Sequence, residues 1–171
     1  MVKSQEFLRT LMIDHAKNQY HMKKWSLPLR FGVAISGSLI AYFLVLSLFG
    51  WHTNPFFSLF NGVITAFGIY EAIKMYKLRE GSDFSYSNGF RVGIIVGFVA
   101  TLIFTIFFLF YATEIKPDFL SDLLTIFSNN YQVSVGLVAF VVAIMGFATT
   151  VVLTLSFMQL FKTSRNMPQK S

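Results

Sequence analysis

The chain has 171 residues, 54% of them hydrophobic and 18% aromatic but only 13% charged, with a mean hydropathy of +0.59 and a formal net charge of +6. Soluble domains carry about 25% charged residues, and the apolar residues here gather in long runs, so a water-soluble class is excluded in favour of an integral membrane chain. Cysteine is absent, which removes disulfides, thiolate metal sites and thiol nucleophiles.

Residues 1–29 form a charged leader. Within residues 4–25, Ser4 suits a helix N-cap and Glu6 its first turn. Phe7, Leu8, Leu11, Met12, Met22 and Trp25 fall on one side of that helix, and Arg9, Lys17, Lys23 and Lys24 on the other. A basic amphipathic helix of this kind lies on a lipid surface or docks on a protein partner. Pro28 is expected to separate it from the first membrane span. The first apolar run begins at residue 31, behind these charges, and reads as an uncleaved anchor.

Residues 31 to 70 contain no Lys, Arg, Asp or Glu, too long a run for one span. The turn residues of GWHTNP, at 50 to 55, divide it into spans at 31–49 and 55–72. A third span is predicted at 91–113, and a fourth at 133–159 within the uncharged run 123–161. Crossing a hydrocarbon core of about 30 Å takes about 20 helical residues, so four spans fit within residues 30–163, followed by a basic tail at 164–171. Between spans three and four, KPDFLSDLLTIFSNN at 116–130 has Asp118 as an N-cap and an apolar side of Phe119, Leu120, Leu123, Leu124 and Phe127. It is predicted to be a short helix lying flat on the outer face. The expected fold is all-α: an integral membrane four-helix bundle with an N-terminal amphipathic helix and this outer-face helix.

Of the 14 Lys and Arg residues, 13 lie before the first span (through Arg30), around the connection between spans two and three (Lys74 to Arg91), or at the C-terminal end from Lys162 onward; only Lys116 falls in the opposite set of connections. Basic residues favour the cytoplasmic side, so both termini are expected there, in a bacterial inner membrane. The same spread excludes nucleic acid as a partner, because the cations flank spans instead of gathering on one folded face. Trp25, Trp51, Tyr70, Tyr111 and Tyr131 fall near span ends, where such rings favour the headgroup zone.

Gly89, Gly93 and Gly97 recur every four residues at the opening of span three, and Ala100 extends their face. Helix association in lipid depends on close backbone approach at small residues, so this face is predicted to press on a neighbouring helix. Small residues on the other spans offer partners for it: Gly32, Ser36, Gly37 and Ala41 on the first, Gly62, Ala66 and Gly68 on the second, Gly136, Ala139, Ala143 and Gly146 on the fourth. The packing set is taken as Gly89, Gly93, Gly97, Ala100, Gly62, Gly136, Ala139 and Ala143. Packing within the chain or across a homo-oligomer would both use it.

No charge falls at mid-span, and Glu71, Arg91 and Glu114 sit at span edges. Asn61 is the most polar residue well inside a span and is read as a contact to a neighbouring helix. Lys74, Lys77, Arg79 and Arg91 bracket the connection between spans two and three, where they could meet phosphate or lipid headgroups. His15, His21 and His52 are scattered, and no metal-ligand spacing or catalytic set occurs on one side of the membrane. Neither a metal, a cofactor nor an enzymatic activity is expected.

Three stretches carry a family resemblance: FGIYEAIKMYKLREG at 67–81, DFSYSNGFRVGIIVGFVATLIFTIF at 83–107 and YATEIKPDFL at 111–120. Across residues 30–163 the chain resembles the uncharacterised four-span inner-membrane proteins classed as a domain of unknown function and common in Bacteroidetes-type bacteria. Lys116 stands where that pattern often has Asn, and the leader departs from it. The resemblance implies four spans in an inner membrane and carries no catalytic residues. The expected function is a non-enzymatic subunit or scaffold packing against lipids, other integral membrane proteins or a second copy. The alternative is a transporter or helper for a lipid-linked or phosphate-bearing substrate, with Asn61, Thr65, Thr101 and Thr105 along its path.

Overall fold

The computed structural model describes residues 2–51, 55–115 and 134–162. Four long helices account for most of them, and no strand occurs among the described residues. Helix α1 runs Val2–Leu48, α2 Pro55–Glu80, α3 Tyr86–Phe110 and α4 Val135–Leu160. A short 3₁₀ turn, Gly81–Asp83, precedes α3, and a π-helical turn, Tyr111–Ile115, extends it.

The ends of these helices arise from local chemistry. Gly50, at φ 70°, closes α1 in the left-handed region that glycine adopts without strain. There the Trp51 N–H donates to the Leu46 carbonyl at 3.0 Å and the Gly50 N–H to that of Ser47 at 3.2 Å, so the last turn's carbonyls are satisfied. Ser85 caps α3 by accepting from the Asn88 N–H at 3.3 Å, and Ser134 caps α4 by accepting from Leu137 at the same distance. The Ser85 cap starts α3 at Tyr86, ahead of the expected start at 91, and brings Gly89 inside the helix.

Pro28 does not divide leader from span. It lies buried inside one continuous α1. Proline removes a single backbone bond and crowds the preceding turn, which bends helices more readily than it ends them when apolar sequence continues on the far side. Side chains of the leader's apolar stripe, other than the exposed Met12, lie outside the described residues, as do the outer-face helix at 116–130 and the tail at 164–171.

Contacts between helices fix their directions. Gly32 of α1 meets Val96 and Val99 of α3, and Ser47 hydrogen-bonds the Tyr111 hydroxyl further along both, so α1 and α3 are parallel. Gly68 of α2 meets Ile35 of α1, while Tyr42 donates to the Phe57 carbonyl at 3.0 Å, so α2 runs back. Met158, Thr154 and Thr150 of α4 meet Gly89, Gly93 and Gly97 of α3 in reverse order, so α4 runs back as well. The result is an up-down-up-down arrangement in which α3 packs against all three other helices.

Two apolar clusters fill it. One joins all four helices through Ile35, Leu39, Ile69, Ile73, Val96 and Met158. The other centres on Phe43, Phe108, Tyr111 and Ala139, with no side chain from α2. Among the described residues, three segments are long and apolar enough to cross a membrane: Ser26–Leu48, Tyr86–Ile115 and Val135–Leu160. Helix α2 is uncharged from Pro55 to Tyr70 and carries its charges, Glu71, Lys74, Lys77, Arg79 and Glu80, in its C-terminal part.

Candidate functional site

The closest approach between elements runs along α3 and α4. A Cβ built on Gly93 would stand 2.5 Å from Thr154 Cγ2 and 3.1 Å from Ile73 Cδ1 of α2. One built on Gly97 would overlap the side chain of Thr150, and one on Gly89 would come within 3.0 Å of Met158 Cε and 2.8 Å of Phe84 Cζ. One turn further the roles exchange: Gly146 of α4 faces Thr101 of α3, with 2.6 Å between its notional Cβ and Thr101 Cγ2. Each four-residue step along α3 is matched by a four-residue step back along α4. The two backbones approach this closely because one side of each pair has no side chain.

Thr150 and Thr154 are fully buried, and their hydroxyls have no hydrogen-bond partner among the described residues. Ser36, Ser38, Thr65 and Ser156 instead donate to carbonyls three or four residues back. A buried, unpaired hydroxyl costs about 1–3 kcal/mol, so at 150 and 154 fit against glycine outweighs that loss. A search for glycine and alanine faces passes over both threonines. The signal for them is Gly146, Thr150 and Thr154 at four-residue spacing, since threonine is among the small residues that line such interfaces.

The remaining residues of the expected packing set divide. Ala100 is buried in the first cluster and Ala139 in the second, and Ala143 is half-buried. Gly62 and Gly136 make no close approach among the described residues: a Cβ on either would meet nothing within 4 Å. At the level of Gly62 the rings of Phe43, Phe104, Phe107 and Phe108 fill a cluster to which α2 contributes no side chain. Gly136 is exposed in the first turn of α4. Close packing elsewhere uses Gly32 against Val99 and Gly68 against Ile35.

At the end of the bundle shared by the α2 C-terminus and the α3 N-terminus, the four expected phosphate contacts are not equivalent. The Lys77 ammonium lies 5.7 Å from the Phe84 ring and 5.4 Å from the Phe161 ring, and it donates to the Phe161 carbonyl at 3.5 Å. It thus places a cation at the C-terminal end of α4, where the helix dipole favours one. Tyr70 packs on Phe157 and Phe161 beside it. Lys74 pairs with Glu71 at 3.2 Å and lies over the Tyr70 ring. Arg79 and Arg91 are exposed.

Asn61 is half-buried on α2, and its Oδ1 has no partner among the described residues, while its backbone carbonyl accepts from Thr65 Oγ1 at 2.8 Å. Thr105 Oγ1 is likewise buried and unpaired. With Gly93 opposite Ile73, the same number of residues along the antiparallel α2 and α3 brings Asn61 level with Thr105. Thr101 is turned instead to Gly146, so the four residues of the expected path do not share one face. Among the described residues no group of three His, Asp or Glu side chains could hold a metal ion.

A family model described as "Protein of unknown function (DUF4199)" matches residues 30–137, well over half of the chain. No curated protein and no solved structure matches.

Proposed function

We propose that this chain, which belongs to the DUF4199 family, is a non-enzymatic four-span membrane protein that serves as a small subunit or scaffold for other membrane components. The observation that carries this reading is α4. It is apolar along its length, and only Ala139, Thr150, Thr154 and Met158 of its 26 residues are buried. A helix apolar on every side suits a hydrocarbon surrounding or a second membrane protein, not water. Its Gly–Thr face is used against α3, which leaves large residues such as Phe140, Ile144, Met145 and Val152 facing outward.

Helix α2 supplies the fourth span in this reading. It runs antiparallel between α1 and α3, and its 26 residues extend about 39 Å. Lys77 and Arg79 in its last turns would sit at the headgroups. The described Lys and Arg from residue 26 onward all lie toward one end of the bundle, which supports cytoplasmic termini in an inner membrane.

The test is mild detergent extraction of the tagged full-length chain from its native membrane, with mass spectrometry of what accompanies it. A stoichiometric membrane-protein companion is expected. A homo-oligomer without companion contradicts the subunit role and favours the second reading, a transport helper, for which the unpaired Asn61 Oδ1 and Thr105 Oγ1 are the supporting observation.

A further inference from the structure

Arg91 lies inside the apolar segment Tyr86–Ile115, exposed, and without a hydrogen bond, ion pair or ring contact among the described residues. Lys74 and Lys77, by contrast, are held by Glu71, Phe161 and neighbouring rings. An arginine a turn or so inside a membrane-crossing segment requires an anion or a path to the headgroups.

The surface below it is continuous. Phe98, Leu102 and Leu109 come 7, 11 and 18 residues after Arg91, which returns each of them to the same side of a helix of about 3.6 residues per turn. They are exposed by 47%, 40% and 40%. Between Arg91 and Leu102 the other sides of α3 are taken: Gly93 and Gly97 by α4, Val96 and Ala100 by the four-helix core, Val99 by Gly32 of α1. Phe98 also stacks on Phe147 of α4, with ring centroids 4.7 Å apart and planes at 14°, which fixes one wall of the strip.

We propose that this strip binds one anionic phospholipid, its phosphate on Arg91 and an acyl chain along Phe98, Leu102 and Leu109. The proposal rests on the membrane reading of the chain. A cation at the headgroup end of an apolar strip complements an amphiphile that carries negative charge at its head and hydrocarbon below it. Lys162, exposed at the end of α4, adds a second cation at the same end of the bundle. A second copy of the chain docked symmetrically on this face would set its own Arg91 beside this one, a like-charge contact that opposes it.

The experiment is native mass spectrometry of the full-length protein in mild detergent, titrated with phosphatidylglycerol, phosphatidylethanolamine or inorganic phosphate. One phosphatidylglycerol is expected to bind about tenfold more tightly than phosphatidylethanolamine, with no displacement by inorganic phosphate. Arg91→Gln is expected to erase that preference while leaving the melting temperature of the lipid-free protein unchanged, and Arg30→Gln, at an exposed cation on α1, to preserve it. Equal binding of the two lipids by the unaltered protein overturns the proposal, whatever the variants do. So does a preference that survives Arg91→Gln, or displacement by inorganic phosphate, which would mark a free-phosphate site. Recovery of the chain without detergent would sink the membrane reading itself, whereas a detergent-dependent protein with no lipid preference would sink only this site.

Discussion

Replacing Gly97 with leucine is expected to part α3 from α4 and lower the stability of the detergent-solubilised protein by about 2–3 kcal/mol, within the range of overpacked cores. The cause is steric: even a Cβ at this position overlaps Thr150, and the opposing atoms belong to a β-branched side chain held stiffly by its own helix. Gly93→Leu meets the same obstacle at Thr154 and Ile73. The informative comparison is a double-variant cycle. Thr150→Gly empties the volume that a side chain at 97 would take, so Gly97→Leu in that background should recover part of the loss, with a coupling of about 0.5–3 kcal/mol. Gly136→Ala, where a Cβ meets open space, should stay within about 0.5 kcal/mol or gain slightly from helix propensity. A Gly97→Leu protein that melts with the parent would mean that α3 and α4 do not pack through this glycine face.

Phe43→Ala is the second large effect. Phe43 is 7% exposed and meets Phe104, Phe107, Phe108 and Tyr111, each near edge-on, with centroids between 4.9 and 6.3 Å. Aromatic pairs of this kind contribute about 0.5–1.5 kcal/mol beyond area, and truncating a buried phenylalanine in a water-soluble core costs about 3–5 kcal/mol. Part of that cost is transfer from water, which is missing when the reference state is also apolar. The expected loss is therefore about 2–4 kcal/mol, read as the shift in denaturant-induced unfolding in micelles. Phe140→Ala, at a ring 62% exposed on α4, should change stability by less than about 0.5 kcal/mol. Equal losses at the two positions would contradict a packed Phe43 cluster.

The all-helical architecture is legible in the sequence because uncharged runs and turn residues are one-dimensional signals. GWHTNP marks the first reversal, and Gly50 with its positive φ closes α1 at its start. The spacing of Gly89, Gly93 and Gly97 points to one helix face, but spacing names no neighbour. The identity of Thr150 and Thr154 as the opposing residues depends on the relative height of α3 and α4, which no local pattern encodes. Gly62 is a small residue of α2 like Gly68, yet a Cβ there would meet nothing within 4 Å among the described residues, whereas one at Gly68 would meet Ile35. Pro28 reads as a boundary when taken alone, yet the apolar, helix-forming residues beyond it carry α1 through. Lys77 reads like its charged neighbours, since a sequence does not reveal that Phe84 and Phe161 close around it.

The most direct test of the proposed four-span bundle uses the absence of native cysteine, which makes single-cysteine variants clean probes. Ser82→Cys reports on the connection between α2 and α3, Thr53→Cys on that between α1 and α2, and Glu114→Cys on the far end of α3. Each is labelled in intact cells with a membrane-impermeant maleimide, before and after permeabilisation. With four spans, positions 53 and 114 should label in intact cells and position 82 only after permeabilisation. If positions 53 and 82 label alike, α2 does not cross the membrane, and the four-span bundle is wrong.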